Sequence, residues 1–305
     1  MTSAEASPRD STAAPDPSAA LPPSVARAGE TAPGLQYHGA VARWRLLDLR
    51  ELWRYRDLLG MLAVRDLKVK YRQAVIGVAW SVIQPLATAL IFVLLFGLLG
   101  NTPAAGGVPY GVFVLPGVVL WQLFAGSVGQ MTGCLVANQN LIGKVYFPRL
   151  VLPLAVLVAA LVDFAVGLAV VGGVFAVYGV VPAWTLVFAP LFVLLGSVSA
   201  LAVGAWMSAL NAIYRDTGFA VPFALQIGFF LSPVVYATDV LIPERWRPLV
   251  ALNPMTGAVD GFRWALFGGP FPTLTVLLGA GAAAVVLVSG LWYFRRVEGY
   301  LADRI

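Results

Sequence analysis

The chain has 305 residues, 59% hydrophobic and 11% charged, with mean hydropathy +0.82 and a formal net charge of +5. About 25% of a soluble chain is charged, so this composition excludes an ordinary globular domain, whose surface could not be kept polar. The same hydrophobicity excludes disorder throughout and leaves an integral membrane protein with several spans.

Residues 1–40 are rich in Ala, Pro, Ser and Thr and hold no apolar run. They are expected to form a disordered cytoplasmic tail, with no cleavable signal peptide, serving either as a dispensable extension or as a docking segment. Residues 41–76 form a second, amphipathic unit. At 100° per residue, Leu52, Tyr55, Leu58, Leu59, Leu62 and Ala63 share one face, while Arg50, Arg54, Asp57 and Arg65 share the other. This predicts a helix in the cytoplasmic membrane interface, acting as an anchor or as a platform for a cytoplasmic partner.

Residues 77–305 carry six apolar segments long enough to cross: 77–99, 110–136, about 150–178, 184–210, 219–237 and about 271–294. Seventeen of the 20 Lys and Arg residues fall on the side of the two termini, and three (Arg245, Arg247, Arg263) fall opposite. The positive-inside rule therefore places both termini in the cytoplasm, and the basic balance needs no nucleic acid to explain it. Between the last two spans, 238–270 is too apolar for a free loop. Pro243 and Pro254 suit helix starts, and Gly268-Gly269-Pro270 is a stop. Two short helices over about 243–252 and 254–267 are expected, forming a hairpin that re-enters the outer membrane face. It is a candidate gate carrying Trp246, Leu249, Phe262 and Trp264.

The chemistry that is absent narrows the function. Gly143-Lys144 is the only Gly-Lys pair; Asn138 stands where a phosphate-binding loop needs its first glycine, and Val145 follows. The chain has no ATPase loop of its own and no G-x-S-x-G. With one His (His38) and one Cys (Cys134), it has no set of ligands for a His/Cys metal site. Asp163 is the one acid inside the predicted spans; it is either hydrogen-bonded within the bundle or lines a polar path. Trp121, Phe124, Phe223, Phe229, Phe230 and Tyr236 also lie within spans. They are either packing residues or the lining of a channel in which sugar C–H faces slide over rings.

Several strings then coincide: NQNLIGKVYFPRLVLPL (138–154), NAIYRDTGF (211–219), LSPVVYA (231–237), LNP (252–254) and FRRVEGYLADRI (294–305). Over about residues 45–305 the chain resembles the membrane subunits of ABC-2-type polysaccharide exporters, the group that includes O-antigen and teichoic-acid export permeases. The resemblance implies an all-α membrane protein working as a homodimer in the cytoplasmic (inner) membrane. It implies no enzyme activity and no cofactor on this chain, with ATP and Mg bound by two copies of a separate cytoplasmic ATPase. The substrate would be a lipid-linked glycan, exported through a channel between the two copies, with membrane lipids around it. A coupling helix at about 137–149 would place Asn140, Leu141, Ile142, Lys144, Tyr146, Phe147 and Arg149 against the ATPase. Arg54, Arg65 and Lys68 would belong to an interface helix adding to that contact. Spans one and five would border a lateral opening for the substrate. Two readings compete: an ABC-2-type exporter of a drug or small lipid, and a membrane-embedded transferase using Asp239, Glu244 or Asp260, the only acids in the outer loops.

Overall fold

The computed structural model describes residues 49–72, 79–98 and 107–304; the tail expected over 1–40 lies outside them. Among the described residues the regular structure is entirely helical. Helices α1 (Leu49–Arg54) and α2 (Arg56–Arg72) are separated by a break at Tyr55. Their apolar face is covered by protein rather than left to lipid. Leu62 and Ala63 are buried, with Leu52, Tyr55, Leu58 and Leu59 packed on the same core, and α2 lies along α6 (Val151–Tyr178).

Five helical stretches are long and apolar enough to cross a membrane: α3 (Ala79–Leu98), α4 (Tyr110–Ala137), α6, α7 (Ala189–Ile213, preceded by a 3-10 turn over Trp184–Phe188) and α12 (Thr273–Arg304). A four-residue helix, α5 (Gln139–Ile142), follows α4. The most hydrophobic stretch of α4 is 78% buried, against 11% for that of α3, so α4 is the axis of the bundle and α3 is its exposed edge. Helix α4 packs chiefly on α7 and α6, and α7 in turn on α12. Small residues permit this closeness. A Cβ at Gly204 of α7 would lie 2.2 Å from Met131 Sδ of α4. Between α7 and α12, Trp206 stacks on Tyr293 with ring centres 4.5 Å apart.

The segment expected as a fifth crossing, 219–237, is helical only in α8 (Thr217–Leu231), 15 residues or about 22 Å long. The cause is Pro233: it lacks an N–H and forces the residue before it out of the helical region, and Ser232 is extended at φ −94°, ψ 147°. Beyond it come α9 (Thr238–Leu241), a 3-10 turn over Glu244–Trp246, α10 (Arg247–Ala251) and α11 (Pro254–Phe267). Asn253 caps α11, its side chain accepting from the Met255 N–H at 3.0 Å. Gly268 and Gly269 end it at φ 74° and 93°, a region that side chains with a Cβ avoid.

Candidate functional site

A cavity of about 620 Å³ opens between α3, α4, α6, α8 and the end of α2. One end is charged. Lys70 Nζ of α2 lies 2.5 Å from Asp163 Oδ2 of α6, and the Tyr71 hydroxyl is hydrogen-bonded to the other Asp163 oxygen and lies 2.8 Å from Ser81 Oγ of α3. Burial and the Asp163 carboxylate push the Tyr71 hydroxyl above the usual phenol range. Asp163 is therefore held by hydrogen-bonding partners and also lines the cavity. The opposite end is aromatic. Phe92 of α3 meets Phe229 and Phe230 of α8 at 5.6 and 6.3 Å, and Trp121 of α4 meets Phe229 at 5.9 Å. Between the ends the wall carries Gln84, Thr88, Gln122, Gln130 and Gln226.

Of the aromatics singled out as channel candidates, the cavity gathers Trp121, Phe229 and Phe230. Phe124 instead packs at a tilt against Trp121, ring centres 5.2 Å apart, and borders a smaller cavity of about 190 Å³ beside α7. Phe223 points outward, exposed. Tyr236 is buried, its hydroxyl donating to the Phe230 carbonyl at 3.3 Å. The sequence reading missed Phe92 and the four glutamines. Their signal was available as amides inside otherwise apolar spans, but only assembly shows that they share one wall.

The segment after α4 is divided between exposed and anchored residues. Asn140, Lys144 and Tyr146 are exposed, Tyr146 at 83%, while Leu141 and Ile142 are half-buried against the core. Phe147 is buried, and Arg149 turns inward: its guanidinium donates to the Glu298 carbonyl and its N–H to Glu298 Oε1 at 3.2 Å. Glu298 is also bound by Arg295 at 3.0 Å, so this loop is fastened to the end of α12. Arg54 at the end of α1 and Arg65 and Lys68 on α2 stand exposed; Arg65 pairs with Asp66 at 2.8 Å. Met61, Val64 and Val69 share the exposed surface.

At the other end of the bundle, Arg263 of α11 is buried and every group it donates to is a backbone carbonyl. It reaches Phe113 O at 3.2 Å, Tyr236 O at 3.0 Å, and the carbonyls of Pro233 and Val234. Its guanidinium also lies 3.9 Å from the centre of the Phe113 ring. Three of the carbonyls, those of Pro233, Val234 and Tyr236, lie in the non-helical segment after Ser232, where no helical donor reaches them. Phe262 is buried against Phe164, with ring centres 6.2 Å apart. Trp264 packs on Phe188 and Phe271 and donates to Gly269 O at 3.0 Å. Trp246 and Leu249 are largely exposed, at 50% and 61%.

The geometry is that of a cavity with polar side chains inside a helical bundle. The family model for ABC-2 type transporters matches residues 57–267. An O-antigen export system permease protein RfbA of Myxococcus xanthus is 33% identical over 256 residues, covering 82% of this chain and 96% of that protein. A protein of the same name from Klebsiella pneumoniae is 29% identical, covering 81% and 94%. The capsule polysaccharide export inner-membrane protein CtrC of Neisseria meningitidis is 23% identical, covering 74% and 84%. With five membrane-length helices and a family match over more than half its length, the chain belongs to the ABC-2 type transporter membrane-domain family.

Proposed function

We propose that this chain is the permease subunit of an ABC transporter that exports a lipid-linked polysaccharide across the cytoplasmic membrane. The observation that carries this is the cavity, lined by amides and hydroxyls as well as apolar side chains and aromatic at one end, in a chain 33% identical to an O-antigen export permease. The hydroxyls of a sugar polymer cannot cross hydrocarbon unpaired, since each unsatisfied polar group costs several kcal/mol. A wall of amides, hydroxyls and rings supplies that pairing, which a small apolar cargo would not need.

In this reading two copies form the channel, and a separate pair of ATPase subunits, carrying ATP and Mg, drives it from the cytoplasm. The chain itself supplies passage rather than catalysis. Both termini are cytoplasmic. The fifth crossing is completed by α8 together with the non-helical 232–237, and α9 to α11 re-enter the outer face as the gate. The exposed Lys144 and Tyr146, with Asn140 beside them, meet the ATPase, while Leu141, Ile142, Phe147 and Arg149 hold that contact to the bundle. Arg54, Arg65 and Lys68 add the interface-helix contact. Deleting the gene should abolish surface polysaccharide and leave lipid-linked polymer inside the cell. Unchanged surface polymer would overturn the reading.

A further inference from the structure

We infer that the cavity binds an uncharged stretch of glycan through the side-chain amides of Gln84, Gln122, Gln130 and Gln226. This rests on the export reading and goes beyond it by naming the contact residues and the charge class of the sugar they accept. None of these amides is hydrogen-bonded to any described residue, yet all line one cavity within helices otherwise made for hydrocarbon. Lipid tails would leave them unpaired, a costly arrangement repeated four times. An aqueous, hydroxyl-bearing ligand would not. Each primary amide offers two donors and an acceptor oxygen, which matches neighbouring sugar hydroxyls that both donate and accept.

The spacing suits a chain rather than a point ligand. Gln122, Gly126 and Gln130 fall four residues apart on one stripe of α4, about 12 Å from first to last. A Cβ at Gly126 would meet nothing within 4 Å, so the middle of the stripe is open. Phe92, Trp121, Phe229 and Phe230 close the far end with ring faces against which sugar C–H faces stack. The charge of the wall sets the class. Among the described residues its only ionised side chains are Lys70 and Asp163, bound to each other at one end, so none of the described residues along the amide row offers a polyanion a cation. A carboxylate-bearing sugar would find hydrogen-bond donors in this wall but no counter-charge.

The test uses the full chain in lipid nanodiscs and two probes on the same polyprenyl carrier: a neutral trisaccharide and a trisaccharide of hexuronic acids. The neutral probe should bind about tenfold tighter or more, and the double variant Gln122→Leu/Gln226→Leu should weaken it by about tenfold without lowering the unfolding temperature. Equal affinity for the two probes overturns the inference and leaves the export reading standing; this comparison needs no variant. Unchanged affinity in a folded double variant overturns it too. If neither probe binds the unaltered chain, the export reading falls with it.

Discussion

Asp163 and Arg263 both put an ionisable group among apolar helices, and the fold treats them in opposite ways. Arg263 is 5% exposed, and each of its three side-chain nitrogens donates to a carbonyl of the segment 232–237 or of α4. Asp163 keeps a fifth of its side chain open to a cavity, and its partner Lys70 is nearly half exposed. A buried charge whose hydrogen bonds all go to backbone carbonyls fixes geometry. A charge paired with a flexible side chain at a wet cavity can exchange partners. The α11 end of the bundle is therefore built as a clamp, and the α2 end as a joint between α2 and the cavity wall.

The largest effect should come from breaking the clamp. Arg263→Met strands buried carbonyls and should cost about 3 kcal/mol or more, read as a lowered unfolding temperature of the purified chain. Arg263→Lys, with a point charge in place of a fork, should recover only part of it. An unshifted temperature in the Met variant would erase the distinction drawn between the two sites. At the joint, Lys70→Asp and Asp163→Lys should each reduce surface polysaccharide several-fold with smaller losses of stability, and the double exchange should restore most of it. Failure of the exchange to rescue would show that the two side chains do not act as a pair. The smallest structural effect belongs to the exposed loop beyond α4. Tyr146→Ala should change stability by no more than about 0.5 kcal/mol, yet separate ATP hydrolysis by the proposed partner from export. Normal coupling in that variant would remove Tyr146 from the contact.

Much of the fold was legible because apolar length and proline placement act locally. Helices begin at Tyr110 and Pro254 and end at Tyr178 and Phe267, at or within a residue of the expected positions. Pro233 was equally visible, but its consequence was not drawn, and a single span was expected across it. The amphipathic segment shows a different limit. The sequence predicts an amphipathic helix at the membrane interface but not what its apolar stripe meets, and the stripe is buried against the core, because a periodic pattern gives which residues share a face and not what that face meets. The site was legible only as residue types. Asp163 and the aromatics were noted in the chain, but Phe92 and Trp121, 29 positions apart in sequence, come to one wall only when α3, α4 and α8 assemble.

By itself, then, the sequence determined that this chain lives in a membrane, where most of its helices begin and end, and that it carries no phosphate-binding loop to power transport. Those facts follow from composition and from backbone chemistry within a few residues. The tertiary structure alone decided which charge is sealed and which is open, that Arg263 supplies donors to a broken helix, and that four amides face one cavity. Each of these is a meeting of side chains from distant elements. Such meetings are fixed by how the helices pack, a long-range outcome that no local pattern encodes.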